Sequence, residues 1–166
     1  ILCEFVSVFV GNGDWTFWTL PRIDVGYQPR APAIGDLNGD GSPDMVVVNS
    51  TGDDLSILLG NGDGTFQAPQ ILDVGDDPQD IAIGDLDGNS IPDLAVVNRG
   101  SSNALIFSGN GDGTFEEVAD LPIGSAASAV AIGDLNGDAS PDLAVTVLQS
   151  VIVGLGNGDG TFSLAG

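Results

Sequence analysis

The chain has 166 residues, and 42% of them are apolar, which is enough for one domain with a buried core. Its formal net charge is −21, because 24 acidic residues face three arginines and neither lysine nor histidine is present. A charge of this size repels nucleic acid and anionic lipid, and no apolar stretch approaches the about 18 residues of a membrane-spanning helix. Nucleic-acid binding and membrane insertion are therefore not expected.

Two short signatures recur along the chain. An acidic loop opens with Gly-Asp-Leu at Gly35, Gly84 and Gly133, so its period is 49 residues (84 − 35 and 133 − 84). A Gly-Asn-Gly-Asp turn keeps nearly the same interval, with starts at residues 11, 60, 109 and 156. A fixed period of this size is typical of solenoids, propellers and arrays, in which no single unit buries its own apolar face. The repeat predicts a partial unit at 1–30 and three units at 31–79, 80–128 and 129–166.

The first unit departs from the others. Residue 1 aligns with residue 50, so the chain is expected to open in the middle of a unit. Trp15 stands where the later turns have glycine, and Trp18 follows closely. Terminal repeats often differ from the rest because they cap the array or dock. We expect these two aromatic residues either to pack within the unit or to contact a protein or a sugar.

The unit at 80–128 illustrates the predicted strands. Short apolar or alternating runs at 81–84, 94–98, 104–107 and 114–118 are separated by Gly, Asn, Asp and Pro. Each run is too short for a helix and is bounded by turn residues, so each is predicted to be a strand. Four antiparallel strands in a unit of this size form the blade of a β-propeller. The fold class is therefore all-β, with propeller-type blades in tandem, and the alternative is a parallel β-helix.

The acidic loop has the composition of a calcium site. Ca²⁺ takes six to eight hard oxygen ligands, and a curled loop can supply them from alternate positions. Side-chain oxygens at the first, third, fifth and ninth positions would coordinate the ion, together with the backbone carbonyl oxygen of the seventh position. The candidate ligands are Asp36, Asn38, Asp40, Ser42 and Asp44; Asp85, Asp87, Asn89, Ile91 and Asp93; and Asp134, Asn136, Asp138, Ser140 and Asp142. Three such loops predict three Ca²⁺ ions per chain.

Other interpretations of the acidic residues are less favoured. Asx-rich turns that happen to be acidic would explain one copy of the loop, but not three copies with every ligand position filled. The absence of histidine argues against zinc, and the many-oxygen loop argues against Mg²⁺. Ser90 and Ala139 replace Gly41 in the second and third loops, so strain is expected there. The Gly-Asn-Gly-Asp segments offer too few spaced ligands and are predicted to be hairpin turns.

Two further features concern covalent chemistry. Cys3 is the only cysteine, so no intramolecular disulfide can form and bound metal is the obvious alternative source of stability. Asn49-Ser50-Thr51 fits the N-glycosylation triplet, a short pattern that is usually accidental.

The two signatures together resemble the FG-GAP/VCBS repeat family. Asp-Leu-Asn-Gly-Asp-Gly-Ser-Pro-Asp at 36–44 is followed by an apolar strand and then by Leu-Leu-Gly-Asn-Gly-Asp-Gly-Thr-Phe at 58–66. In integrin α-chains and secreted bacterial proteins, repeats of this family are calcium-binding propeller blades. The resemblance implies calcium at the loops named above and an extracellular or cell-surface location. It brings no catalytic residue with it.

Propellers generally have four to eight blades, and the blades predicted here are too few to close a seven-bladed ring. We therefore expect an open arc that associates with other copies through its unlike ends, as a ring or a filament. The expected function is a non-enzymatic, calcium-stabilised module for adhesion or self-assembly. Serine-histidine-aspartate and lysine chemistry lack their residues, and the adjacent Glu116 and Glu117 would face opposite sides of a strand. The alternatives are a carbohydrate-binding accessory domain and a propeller fragment of a secreted polysaccharide-degrading enzyme.

Overall fold

The computed structural model describes residues 4–165, so Cys3 lies outside the described part of the chain. Within this range every regular element is a β-strand. No helix that could span a membrane occurs among these residues.

Three four-stranded antiparallel sheets account for most of the chain, and in each sheet the strand order follows the sequence. Their strands are β5 (Pro29–Gly35), β6 (Asp44–Asn49), β7 (Asp54–Leu58) and β8 (Gln70–Asp73); β9 (Pro78–Gly84), β10 (Asp93–Asn98), β11 (Asn103–Gly109) and β12 (Phe115–Pro122); and β13 (Ala127–Gly133), β14 (Asp142–Val147), β15 (Ser150–Gly156) and β16 (Phe162–Ala165). Each sheet is a blade of the predicted type. The sheets stand in tandem as an open array, and the parallel β-helix alternative is wrong because neighbouring strands run antiparallel.

The N-terminal segment forms two short strand pairs. β1 (Phe5–Val6) pairs with β4 (Ile23–Asp24), and β2 (Phe9–Gly11) pairs with β3 (Phe17–Thr19). One period of 49 residues later, β1 and β4 fall on β7 and β8, and the pair of Gly11 and Phe17 falls on the isolated bridge between Gly60 and Phe66. The strand pairs therefore correspond to the third and fourth strands of a blade. Apolar side chains of this half-blade pack against a buried cluster of Met45, Val47 and Leu58.

The core lies between blades. Strand β10 is buried along its whole length, which matches its continuous apolar run. Leu94 and Val96 point into the cluster shared with the preceding blade, whereas Ala95 and Val97 point into the cluster shared with the following one. Because side chains alternate between the two faces of a strand, one strand serves two cores. Each blade therefore depends on its neighbours for burial.

The glycosylation triplet lies at the end of a buried strand. Asn49 is completely buried, and its amide nitrogen donates to Asp54 at 2.6 Å and to Ser56 at 2.9 Å. A side chain held in this way cannot carry a glycan in the folded chain.

Candidate functional site

The three acidic loops connect the first and second strands of the three blades. Their ninth-position residues Asp44, Asp93 and Asp142 are the first residues of β6, β10 and β14. The structure therefore has a carboxylate at the start of the second strand of each blade.

The first-position aspartate organises each loop from within. In the first loop the Asp36 carboxylate accepts the backbone N–H groups of Gly39 at 2.8 Å and Gly41 at 2.9 Å. Asp85 and Asp134 accept the equivalent N–H groups in their own loops. This curl needs a left-handed backbone at the sixth position, where Ser90 has a φ of 69° and Ala139 a φ of 71°. The strain expected from the missing glycines is therefore present, at a cost of roughly 1–2 kcal/mol each.

The middle positions form a ladder of short side-chain-to-backbone bonds. Asn38 accepts the N–H of Asp40, and Asp40 accepts the N–H of Ser42 at 2.7 Å. The same ladder occurs in the second and third loops. The Ser42 N–H lowers the pKa of Asp40, and the Ser140 N–H lowers that of Asp138 in the same way. The hydrogen bonds within the loop therefore favour the charged form of these carboxylates without any bound cation.

The ninth-position aspartate joins the two signatures of the repeat. One oxygen of the buried Asp44 accepts the N–H of Leu37 at 2.8 Å, and the other accepts the N–H of Gly60 at 2.7 Å. Asp93 bonds Leu86 and Gly109 in the same way, and Asp142 bonds Leu135 and Gly156. The acidic loop is therefore fixed to the Gly-Asn-Gly-Asp turn of its own blade.

The sequence interpretation missed this link and the glycine that it requires. A Cβ on Gly60 would lie 2.1 Å from the carbonyl oxygen of Pro43, a distance that no side chain tolerates. Gly109 and Gly156 meet Pro92 and Pro141 at 2.2 and 2.1 Å. The available signal was that the proline and the glycine recur together in all three units. The first glycine of the turn is therefore needed for close approach, and not for its φ.

Three carboxylates of the predicted ligand set converge in the second loop. Asp85, Asp87 and Asp93 offer carboxylate oxygens that all lie within 4.8 Å of one another. Burial raises the pKa of Asp93, and the charges of Asp87 and Asp85 raise it further against the effect of its two N–H donors. In the first and third loops an asparagine stands at the third position, and no comparable group of three carboxylates forms there among the described residues. The second loop thus fits a divalent cation, because its donors are hard oxygens whose charges repel one another without one.

The Gly-Asn-Gly-Asp segments are hairpin turns, as predicted. In the second copy Asp63 accepts both the N–H and the hydroxyl of Thr65, at 2.9 and 2.5 Å. The hydroxyl is the main cause of the lowered pKa of Asp63, and Asp14, Asp112 and Asp159 show the same lowering in their own turns.

Family comparison agrees with this geometry. The FG-GAP-like repeat matches the chain three times, at residues 5–47, 36–96 and 85–145, which together cover most of its length. The chain belongs to the FG-GAP-like repeat family. Two of the matched segments begin at the first aspartate of an acidic loop, so the family unit includes both the loop and the blade strands that follow it.

Similarity to other proteins extends to the fold. A solved lectin from Agrocybe aegerita, described as specific for non-reducing terminal N-acetylglucosamine, superimposes with a TM-score of 0.67 at 24% sequence identity. The match covers 98% of this FG-GAP-like repeat chain and 46% of the lectin chain, so the chain spans about half the length of that protein. No curated protein matches the sequence.

The first hairpin of this FG-GAP-like repeat chain differs from the other three. Trp15 adopts a φ of 69° at the position where the later turns have Gly64, Gly113 and Gly160, and its side chain is 97% exposed. Trp18 lies on β3 and is about half exposed. An exposed tryptophan in a left-handed conformation costs free energy without any burial to offset it, and such strain is most often kept where it serves a contact.

Proposed function

We propose that this protein is a non-enzymatic, calcium-stabilised extracellular repeat module that acts in adhesion or self-assembly. The observation that supports calcium best is the convergence of Asp85, Asp87 and Asp93 within 4.8 Å. Asp93 is anchored on both sides by backbone N–H groups, so the cluster is preorganised. A preorganised set of hard oxygens with excess negative charge favours Ca²⁺.

Calcium would also supply stability that this chain lacks from other sources. The net charge is −21, and the array has no disulfide within it. A cation in each loop neutralises carboxylates at the start of the second strand of a blade. Binding to the folded state alone would stabilise it by about 2.7 kcal/mol per site at a free calcium concentration 100 times the Kd.

Calorimetric titration with CaCl₂ and thermal melting in chelator test this function. We expect three ions per chain, a Kd on the order of 10⁻⁴ to 10⁻³ M as in extracellular modules, and a lower melting temperature in chelator. The double variant Asp85→Asn with Asp87→Asn should lose one ion. Asp63→Asn, in an exposed hairpin, is the matched control and should lose none. Absence of heat together with a chelator-insensitive melting temperature would exclude the calcium function.

Self-assembly is supported by the exposure of two surfaces that are buried inside the array. Leu37 and Leu86 are each 1% exposed beneath the following blade, whereas the equivalent Leu135 is 58% exposed. At the other end Ile34 is 71% exposed, although its counterparts Ile83 and Ile132 pack against the core clusters between blades. These surfaces are the two halves of the junction that joins consecutive blades. Their complementarity favours other copies of the chain as partners, in a ring or a filament.

Light scattering with calcium present tests this assembly. The half-blade at residues 4–25 packs on the same end as Ile34, so an incoming copy must share that position with it or displace it. Leu135→Asp should abolish association, whereas Leu148→Asp, a change at an exposed turn between β14 and β15, should leave it intact. A wild-type chain that stays monomeric at high concentration contradicts self-assembly.

Carbohydrate binding is the second candidate, and Trp15 is the observation that favours it. The ring is fully accessible and borders a pocket of about 290 Å³ with Phe17 and Thr16, and the superimposable lectin recognises a sugar. Trp15→Gly is the sharpest test because glycine occupies this position in the other three turns and suits the positive φ. Glycan-array binding that disappears in Trp15→Gly, with no loss of melting temperature, would support this function. An array without hits for the wild-type chain would exclude it for the glycans tested.

A further inference from the structure

The second acidic loop faces the last turn of the next blade across a small pocket. This pocket has a volume of about 60 Å³ and is lined by Asp87 and Asp93 from one blade and by Asp159 and Gly160 from the next. Ser108 contributes to its wall. Three carboxylates from two blades therefore border one space.

The two walls are in direct contact. The N–H of Gly160 donates to the carbonyl oxygen of Leu86 at 3.3 Å, and a Cβ on Gly160 would lie 3.6 Å from the Cβ of Asp87. Asp159 uses its Oδ1 atom to accept both the N–H and the hydroxyl of Thr161. The turn is thus held firmly against the loop, and the Oδ2 atom of Asp159 is left for a ligand.

The preceding junction is formed by the equivalent positions of the repeat but has different chemistry. Leu59 occupies the position of Ser108, and a Cβ on Gly113 would lie only 2.7 Å from its side chain, so an apolar group fills the space. The third position of the loop there is the neutral Asn38, where the later loop has Asp87. The later junction, with serine and aspartate at these two positions, has an acidic pocket where the preceding junction has an apolar contact.

We infer that Asp159, supplied by the last blade, holds the cation of the Asp85, Asp87 and Asp93 site through one bound water. This inference rests on the proposed calcium function. The pocket is large enough for a cation with one or two waters, since each water occupies roughly 30 Å³ in the liquid. A cation held in this way draws on carboxylates of both blades, so it cross-links the blade of β9–β12 to that of β13–β16. The second site is then the tightest of the three.

Calcium titration of the full-length chain tests the bridge through a matched pair of variants. Asp159→Asn should lower the affinity for one of the bound ions by about tenfold, a typical effect of losing a supporting ligand. Asp112→Asn changes the equivalent turn residue at the apolar junction and should leave every affinity unchanged. Both variants should melt like wild type in chelator, which controls for folding.

Hydrogen exchange provides a second readout. Calcium should slow amide exchange in β13–β16 of the wild type and of Asp112→Asn, and should do so much less in Asp159→Asn. Identical titrations and identical exchange for the two variants would overturn the bridge while leaving the proposed calcium function in place. A wild-type chain that binds no calcium would instead remove the proposed function itself.

Discussion

The second and third acidic loops share their internal hydrogen bonds but differ in their surroundings. Asp85 and Asp87 are half-buried beneath the last blade, whereas Asp134 and Asn136 are exposed because no described residue covers them. In the second loop, burial and neighbouring charges raise the pKa of Asp93. Equivalent residues of a repeat thus acquire different chemistry from the blade that follows. Substitutions at the hydrogen bonds that the two loops share should affect both blades, whereas substitutions at the cluster or at the covered face should separate them.

The largest effect should come from the turn glycines, which both blades require. In Gly156→Ala the new Cβ would meet the carbonyl oxygen of Pro141 at 2.1 Å, so the backbone must move. We expect a loss of about 3 kcal/mol or more of unfolding free energy in urea denaturation, and a similar loss for Gly109→Ala. Gly154→Ala in the same strand is the control, since its Cβ would make only ordinary contacts from 3.6 Å outward. Equal costs for Gly154→Ala and Gly156→Ala would show that the close approach is unimportant.

Substitution of the ninth-position carboxylate should have different effects in the two loops when a chelator removes calcium. Asparagine at this position replaces one carboxylate oxygen with an NH₂ group, which then faces a backbone N–H. Two donors cannot bond to each other, so the free energy of unfolding falls by about 2 kcal/mol. Asp93→Asn also relieves repulsion from Asp85 and Asp87, whereas Asp142→Asn has no such cluster to relieve. Asp142→Asn should therefore lower the melting temperature more than Asp93→Asn when no calcium is present. The opposite order, or equal shifts, would contradict a role for the cluster.

A smaller effect should appear in the pH dependence of the metal-free protein. The pKa of Asp93 is raised above its usual value of 3.8, so the folded state holds this proton more tightly than the unfolded state. Stability should then fall as the pH rises from 3.8 through the raised pKa, and should change no further above it. Urea denaturation of wild type and Asp93→Asn across this window isolates the contribution. Saturating calcium should remove the fall, because a bound cation favours the carboxylate. If the difference in stability between wild type and Asp93→Asn did not change with pH in chelator, the raised pKa of Asp93 would be refuted.

The smallest effect concerns the covered and uncovered faces directly. A Cβ on Gly84 would lie 3.2 Å from Ile132, whereas a Cβ on the equivalent Gly133 would have nothing within 4 Å. Gly84→Ala should cost about 1 kcal/mol, and Gly133→Ala should stay within about 0.5 kcal/mol of wild type. If copies associate through this end, Gly133→Ala should weaken the association in light scattering without altering the melting of the monomer. Equal destabilisation by the two changes would mean that the blade faces are not used as described.

The sequence by itself determined the blade. Val-rich runs bounded by Gly, Asn and Pro predicted strands such as β6 and β10, and Asn-Gly and Asp-Gly pairs predicted the hairpins. The acidic loops were also predictable as local units, because their internal bonds join residues no more than seven positions apart. Patterns of this kind depend on short-range geometry, which is the same in every copy of the repeat.

Only the tertiary structure decided how the copies differ. The bond from Asp44 to Gly60 spans 16 residues and needs β6 and β7 paired in register, but it recurs in all three blades. Asp159 meets Asp87, and Leu135 is exposed, because of which blade lies next to which. These outcomes depend on packing between units that are distant along the chain. A period of 49 residues fixes what each unit is, whereas the burial and the charge of each site are set by its neighbour.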